Sequence, residues 1–420
     1  MSILIRNVLL GGSKTDIFIE DNRIARIGDC KGMHAEHVID GTHKAALPGL
    51  FNGHTHAAMT LFRGYADDMP LQEWLTQKIW PLEKKLTDDD VYWGTKLACL
   101  EMIKSGTTFF NDMYFHLDAI IKAVDETGMR ALLSPPDIDF SDDEKAEKQL
   151  AANEKFYLEN SGKNSRIRFA LGPHSPYGAS MMMLLWAKEF SQKYGIPVHI
   201  HVSETEWEVQ ELLSRHGLRP VEFLEKIGLL SPRLIACHCL WLDDHEISLL
   251  AKRKVKVVHN PASNLKLASG HGGFPYKKLV AAGIRPVLGT DGTSSNNNLD
   301  MFEAMKLASL LQKSASNDPT ALPAAEALEM ATINAADAFG INAGLIAKGR
   351  LADIILIDLK TPQMVPNHNL VSNLVYSANG SCVDTTICDG KILMQGRVVD
   401  GEEEILEKAQ DVAKDIISRN

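Results

Sequence analysis

The sequence is poor in cysteine and has no excess of positive charge, and each shortage excludes a class of protein. Only 6 of its 420 residues are cysteines, too few and too irregularly spaced for a disulfide framework, so a reducing compartment is expected. The 44 lysines and arginines are outnumbered by 54 aspartates and glutamates, which leaves no basic field for nucleic acid. The chain lacks both a run of about 18 apolar residues and a basic segment followed by an apolar one at its start. We therefore expect a cytoplasmic protein with no membrane partner.

What is present is the composition of an ordinary globular protein, with 45% hydrophobic and 23% charged residues. Both ends of the chain alternate apolar and polar residues in short runs, which is typical of half-buried antiparallel strands. Asp389 and Gly390 predict a hairpin turn near the C-terminus. We expect residues 1–49 and 347–420 to form one small β domain, of the sandwich type, with a C-terminal amphipathic helix over residues 402–417.

The middle of the chain, residues 50–346, alternates short apolar strands with longer amphipathic stretches. That alternation predicts repeated β/α units around a parallel sheet. The strand candidates include residues 131–133, 167–171, 197–202, 234–238, 255–259 and 285–291. Most of them end in a polar side chain, and a (β/α)8 TIM barrel gathers its strand ends on one face. We therefore expect an α/β protein whose catalytic domain is such a barrel.

Histidines two residues apart predict a metal site at the strand ends. His54 and His56 follow an apolar run, and the period of two turns both imidazoles to the same side of a strand. A pair of structural histidines is the alternative. His199 and His201 repeat the spacing, and His201, nearer the strand end, is the candidate ligand, with His199 in the layer below. Glu204 follows where the strand gives way to a loop.

Asp291 ends another apolar strand and lies between Gly289 and Gly292, which allow close approach of backbone and ligand. A turn aspartate or a helix N-cap is the alternative. Three imidazoles, one carboxylate and an open position for water are typical of catalytic zinc, with iron or manganese as further candidates. His238 is another imidazole at a strand end.

Motifs rich in glycine, proline and histidine occur in a fixed order along the whole chain. They are Pro48–His56, Gly106–Thr108, Gly172–Tyr177, His201–Thr205, His259–Leu267 and Gly289–Gly292 followed by Ser295–Asn297. This ordered set resembles the amidohydrolase superfamily, and within it the branch of S-adenosylhomocysteine and methylthioadenosine deaminases and related chlorohydrolases.

The resemblance implies a role for each candidate residue. The implied ligands of a divalent metal, zinc in the first place, are His54, His56, His201 and Asp291. Glu204 matches the general acid, and His238 matches a residue that contacts the attacking water. Asp291 also joins Glu204 in catalysis and substrate contact. Glu83 matches a carboxylate that holds the ribose hydroxyls, and His174 matches a substrate-binding histidine. A charged helix face is the alternative for Glu83, which precedes two lysines.

The resemblance also implies the reaction, which is hydrolysis of an adenine nucleoside to its inosine analogue and ammonia. A deaminase or chlorohydrolase of another ring, such as guanine, cytosine or an s-triazine, is the alternative, and a binding protein that has lost turnover is a third. No lysine stands at a convincing strand end between His56 and His201, which favours a single metal ion. Relatives in this family are often oligomeric, so a homo-oligomer stays open.

The preferred 5′ substituent of the nucleoside is predicted from the absence of a cation at one position of the sequence. The resemblance implies that relatives which accept S-adenosylhomocysteine have an arginine after the strand equivalent to residues 130–133. That arginine pairs with the carboxylate of the amino-acid part of the substrate. Here Pro135 stands at that position, and a buried carboxylate would meet no fixed cation. We therefore expect preference for 5′-deoxyadenosine, with methylthioadenosine and adenosine as co-substrates. Arg166 or Lys148 could supply the cation from a loop, which leaves S-adenosylhomocysteine open.

Overall fold

The computed structural model describes residues 1–140, 142–270 and 273–419. The strands in these ranges are β1 (Ser2–Leu10), β2 (Ser13–Glu20), β3 (Arg23–Gly28), β4 (His37–Asp40), β5 (Lys44–Pro48), β6 (Leu50–Thr55), β7 (Thr107–Met113), β8 (Arg130–Ser134), β9 (Ile167–Phe169), β10 (Val198–Val202), β11 (Leu234–His238), β12 (Lys256–His259), β13 (Val287–Leu288), β14 (Ile354–Asp358), β15 (Val383–Cys388) and β16 (Lys391–Met394).

Helices alternate with the strands through the middle of the chain. They are α1 (Leu71–Trp74), α2 (Trp80–Glu83), α3 (Asp88–Lys104), α4 (Leu117–Thr127), α5 (Asp143–Asn160), α6 (Met181–Tyr194), α7 (Glu206–His216), α8 (Pro220–Lys226), α9 (Asp244–Arg253), α10 (Pro261–Lys266), α11 (Tyr276–Ala281), α12 (Thr293–Asn296), α13 (Met301–Ser316), α14 (Ala324–Met330), α15 (Ile333–Phe339), α16 (Leu370–Tyr376) and α17 (Glu402–Ser418). Short 3₁₀ turns lie at Ala57–Phe62, Pro362–Met364 and Gly380–Cys382, and a π-helical turn lies at Leu75–Ile79.

Two four-stranded parallel sheets carry the middle of the chain, in the orders β6-β7-β8-β9 and β10-β11-β12-β13. Leu171 and Val198 form a parallel bridge from the first sheet to the second. At the opposite edges the Asp291 amide donates to the His54 carbonyl at 2.9 Å. Parallel strands linked by helices confirm the predicted α/β class. The C-terminal ends of these strands therefore lie on the same side.

The strands from the two chain ends form a third sheet, in the order β16-β15-β14-β5-β1-β2-β3, with β4 paired to β1. The predicted hairpin is confirmed, because β15 and β16 pair antiparallel and the turn residues Asp389 and Gly390 have φ of 50° and 72°. The predicted C-terminal helix is α17. In the described ranges, no helix is both long and apolar enough to cross a membrane.

One ambiguity of the sequence is settled by a helix cap. Asp300, rather than Asp291, is the N-cap of α13, and its side chain accepts from the Phe302 amide. Such a cap satisfies an amide that the first helical turn leaves without a partner. Asp291 is consequently available to the face on which the parallel strands end.

Candidate active site

Three imidazoles and one carboxylate meet at the C-terminal ends of the parallel strands. The ring nitrogens of His54, His56 and His201 all lie within 4.8 Å of one another. Asp291 Oδ1 lies 3.4 Å from His54 Nε2 and 3.3 Å from His56 Nε2. The C-terminal ends of β6 and β10 and the segment after β13 therefore bring the predicted ligands together, and the spacing of two residues turns His54 and His56 to the same side.

The outer nitrogen of each imidazole has a partner that fixes the ring. His56 Nδ1 lies 2.7 Å from the Met113 carbonyl, and His201 Nδ1 lies 2.7 Å from the His174 carbonyl. A carbonyl only accepts, so each Nδ1 carries a proton, and in the neutral imidazole each Nε2 faces the site with a free lone pair. Contacts of this kind orient metal-binding histidines in general.

Asp291 is held by its own backbone and by a neighbouring hydroxyl. Its φ is 63°, the Gly292 amide donates to Oδ1 at 2.9 Å and Ser263 Oγ donates to Oδ2 at 2.6 Å. A Cβ added at Gly292 would lie 2.6 Å from Met59 Sδ and would have to displace that side chain. Burial opposes ionisation, yet the neighbouring imidazoles of His54 and His56 hold the pKa of Asp291 well below its usual value. The carboxylate is therefore charged.

This donor set fits a divalent metal. His54 Nε2 is buried without a hydrogen-bond partner, which is costly unless another ligand satisfies it. Three neutral imidazole nitrogens and one carboxylate oxygen are the ligands that zinc and similar ions prefer. The ion would be held by His54, His56, His201 and Asp291.

His238 ends β11 with a left-handed backbone, φ 74°, and is fully buried. Its Nδ1 faces the side-chain amides of Asn264 at 3.0 Å and Asn260 at 3.3 Å. An amide nitrogen only donates, so neutral His238 carries its proton on Nε2. That Nε2–H points into the site, 3.8 Å from Glu204 Oε2 and 4.0 Å from Asp291 Oδ2.

Glu204 lies beside the four ligands with 12% of its side chain exposed. Burial and the negative charges of Asp291 and Glu208 raise the pKa of Glu204 well above its usual value. The Ser203 and Glu204 amides donate to the Glu208 carboxylate at 2.8 and 2.9 Å, which fixes the turn after β10. The raised pKa favours the protonated form of Glu204, which can donate a proton.

A cavity opens above this floor. The predicted site residues in its wall are His56, Glu83, His174, His201, Glu204, His238 and Asp291, with fully buried His54 beneath them. Trp74, Leu75 and Trp80, from the segment just before Glu83, also line it. Burial raises the pKa of Glu83 to about 7, and burial lowers that of His174 to about 3.

Some residues of the site carried no usable signal in the sequence. Tyr114 lines the cavity and, next to Glu83, has its pKa raised by burial and by that carboxylate. Ser263 and Asn264 lie in the His259–Leu267 motif and contact Asp291 and His238. The motif marked this segment but not these contacts, which depend on where α10 lies.

The fold and the site together define a class. A divalent-metal site at the C-terminal ends of parallel strands, with a buried acid beside it, is an arrangement suited to metal-assisted hydrolysis. Residues 45–393 match the amidohydrolase family, and the chain belongs to that family.

Named relatives narrow the comparison. The chain is 55% identical to a 5′-deoxyadenosine deaminase of Methanoregula boonei, over 100% of this chain and 96% of the relative. It is 49% identical to a 5-methylthioadenosine/S-adenosylhomocysteine deaminase of Archaeoglobus fulgidus, over 98% of both chains. A solved adenosine deaminase of Xanthomonas campestris with bound zinc is 33% identical over 99% of both chains, with a TM-score of 0.92.

Proposed function

We propose that this protein hydrolyses the exocyclic amino group of an adenine nucleoside, giving the inosine analogue and ammonia. The observation that carries the proposal is the meeting of three imidazoles and Asp291 on the floor of a cavity that also holds Glu204, His238 and Glu83. The names of relatives at 49–55% identity support the same reaction.

We propose one divalent ion, zinc in the first place, with iron or manganese as alternatives. Such an ion lowers the pKa of a water molecule so that a nucleophile is available at neutral pH. A single ion is supported by the cavity wall, because none of its lining residues is a lysine that could bridge two metals. The zinc-bound relative at 33% identity supports the choice of metal.

Different side chains of the site carry out the separate proton transfers of the reaction. Glu204 donates to N1 of the purine, which makes C6 electrophilic while water attacks. Asp291 accepts a proton from that water and returns it to the departing ammonia. The Nε2–H of His238 donates to the oxygen that adds to C6 and stabilises its charge. As the C6 carbonyl forms, the proton left on its oxygen returns to Glu204, and the inosine analogue and ammonia are released.

Glu83 and the aromatic wall fit the rest of a nucleoside. A carboxylate accepts from two neighbouring hydroxyls, which is what a ribose diol offers. Trp74 and Trp80 supply apolar surface for the base and exclude water, while His174, held neutral by its low pKa, can hydrogen-bond the purine. A free base or a triazine has no diol, so Glu83 favours the nucleoside over the alternative rings.

A small, neutral 5′ substituent is proposed because no fixed cation is found among the described residues that line this cavity. Its described lining residues include no arginine or lysine, and Pro136 and Ile138, which follow β8, are part of its wall. Arg166 instead pairs with Asp125 at 2.5 Å, and Lys148 pairs with Glu144 at 2.6 Å. These contacts support 5′-deoxyadenosine as the preferred substrate.

The test is ammonia release by the zinc-loaded protein with equal concentrations of 5′-deoxyadenosine, methylthioadenosine, adenosine, S-adenosylhomocysteine, guanine and cytosine. We expect 5′-deoxyadenosine to react faster than S-adenosylhomocysteine and the free bases not to react. Faster turnover of S-adenosylhomocysteine would overturn the choice of 5′ substituent, and reaction of a free base alone would overturn the nucleoside.

We also propose the architecture that places this site. The two parallel sheets close into a (β/α)8 barrel over residues 50–346, supported by an apolar cluster that includes Phe51, Phe109, Ile235 and Val287 from both sheets. Residues 1–49 and 347–420 form a small β-sandwich domain, supported by a cluster shared among β1–β5, β14 and β15. Six buried, unpaired cysteines support a reducing, cytoplasmic compartment.

A further inference from the structure

His199 lies below the floor of the site and touches one of the proposed ligands. Its Nε2 lies 2.8 Å from His54 Nδ1, and both side chains are fully buried. The other two ligand histidines place Nδ1 against a backbone carbonyl, whereas His54 places it against a second imidazole. An imidazole nitrogen can donate or accept, so this contact alone does not fix where the protons lie.

The next two contacts fix them. His199 Nδ1 lies 3.0 Å from Ser134 Oγ, and Ser134 Oγ donates to the Asp112 carbonyl at 2.8 Å. The carbonyl only accepts, so the single hydroxyl proton of Ser134 is committed to it and Ser134 Oγ must accept from His199. Neutral His199 then has a bare Nε2, which accepts from His54 Nδ1–H. The Asp112 carbonyl therefore determines the direction of every hydrogen bond from Ser134 through His199 to His54.

We propose that His199 is a positioning residue which, through Ser134 and the Asp112 carbonyl, holds His54 in the Nδ1–H tautomer and so keeps Nε2 free to bind the metal. The proposal rests on the metal centre of the proposed function and adds to it that the tautomer is fixed before the ion arrives. All three ligand histidines thereby point Nδ1 to a backbone carbonyl, two of them directly and His54 through a relay.

A second metal ion among these residues is the competing explanation. Cys237 Sγ, His54 and His199 also offer ligand atoms within 4.8 Å of one another. Two nitrogens on one tetrahedral zinc stand about 3.3 Å apart, whereas His54 Nδ1 and His199 Nε2 are 2.8 Å apart. That separation is a hydrogen bond, and it favours the relay.

The test measures zinc affinity by competition with a chromophoric chelator in four full-length variants. His199→Phe keeps a ring but removes the relay, and we expect zinc to bind about 10- to 100-fold more weakly. Ser134→Ala removes the acceptor that orders His199, and we expect a smaller loss in the same direction. His199→Gln can accept from His54 and donate to Ser134, so we expect it to restore most of the affinity. Cys237→Ala is the matched buried control and should bind zinc like the wild type.

Zinc affinity within twofold of wild type in both His199→Phe and Ser134→Ala would overturn the relay, as would equal losses in His199→Phe and His199→Gln. A large loss in Cys237→Ala would favour the second metal instead. Should His199→Phe fail to fold, Ser134→Ala and His199→Gln decide the matter. Histidine ¹⁵N shifts of the metal-free protein are an independent measure: His54 protonated on Nδ1 is expected, and protonation on Nε2 contradicts the proposal. Failure of the wild type to bind zinc or to release ammonia would instead contradict the proposed function.

Discussion

Single residues at this site differ in which atom carries a proton, and that difference separates their roles. His56 and His201 donate through Nδ1 to carbonyls and leave Nε2 for a metal. His238 has the opposite tautomer, because two amides face its Nδ1. The pKa of Glu204 is raised, whereas that of its neighbour Asp291 is lowered. When the environment shifts the pKa values of two carboxyl groups in opposite directions, one group is assigned as the acid and the other as the base.

Replacing Glu204 with glutamine should separate chemistry from metal binding. The amide keeps the shape of the side chain but cannot give a proton to N1, so we expect turnover to fall about 10²- to 10⁴-fold. Zinc content by elemental analysis should stay at the wild-type level, since Glu204 is not a proposed ligand. An unchanged rate would show that another group is the general acid.

Replacing Glu83 with alanine should weaken the binding of the ribose and leave the binding of the base unchanged. Loss of a hydrogen-bonding carboxylate costs about 1.5–3 kcal/mol, so we expect KM for 5′-deoxyadenosine to rise roughly 10- to 100-fold. Any residual deamination of free adenine should keep its KM. Equal effects on nucleoside and base would contradict the ribose role.

The same carboxyl group predicts a pH dependence. Burial raises the pKa of Glu83 to about 7, so the group is protonated below that pH and a weaker acceptor for two hydroxyls. We expect kcat/KM for the nucleoside to rise with pH through about 7. The Glu83→Gln variant, which does not titrate, should lack this limb of the profile, and a limb that persists there belongs to another group.

The proposed ligands were predictable from the sequence, but the hydrogen bonds that set their protons were not. His54 and His56 are two residues apart on one strand, and that spacing alone turns them to one side. Ser134, Asn264 and Tyr114 come from other elements, and their contacts exist only once those elements are placed. His199 was expected as a layer residue below the site, with no sign of its contact to His54.

At the scale of elements, the ends of strands and the short helix α10 shape the site. Ser203, His238 and Asp291 all have positive φ, at 52°, 74° and 63°, which is uncommon outside glycine and costs energy. Each of them lies at or just after the end of a parallel strand, where the chain must turn while aiming a side chain inwards. Strand positions were predicted to within a few residues, but β13 is only Val287–Leu288, because the chain leaves the sheet before Asp291.

Helix α10 is expected to act on the reaction through Asn264. In Asn264→Ala, Asn260 still donates to His238 Nδ1, so the Nε2–H tautomer survives and we expect a loss of turnover below about 10-fold. In Asn264→Asp, a carboxylate accepts from Nδ1–H and draws the proton away from Nε2, and we expect a loss near 100-fold. Steady-state kinetics with zinc content as the control would compare them. A greater loss in Asn264→Ala would contradict the tautomer assigned to His238.

At the scale of the whole molecule, Arg130 joins the parallel sheet to the sheet formed by the chain ends. It begins β8, and its guanidinium reaches Asp353 at 3.2 Å and Asp389 at 2.8 Å. The Asp353 side chain is fully buried and also accepts from the Asp389 amide at 2.7 Å. Alternating patterns at the two ends predicted that they would meet. The patterns could not predict this ion pair, because Arg130 is about 220 residues away from Asp353 along the chain.

Replacing Arg130 with methionine should weaken the whole fold while leaving the chemistry of the site intact. Asp353 would be left buried beside Asp389 without its cation, and breaking a buried pair in this way costs about 3–5 kcal/mol. We expect the urea midpoint of unfolding to fall accordingly, while zinc content and kcat of the folded fraction stay near the wild type.

Arg253→Met is the matched control, because Arg253 pairs with Glu225 at 2.6 Å but is 46% exposed, and exposed pairs contribute about 0–1 kcal/mol. The double variant Arg130→Met/Asp353→Asn should lose less than Arg130→Met alone, since it removes the stranded charge. A loss in Arg130→Met no larger than in Arg253→Met would mean that apolar packing, and not this ion pair, holds the two sheets together.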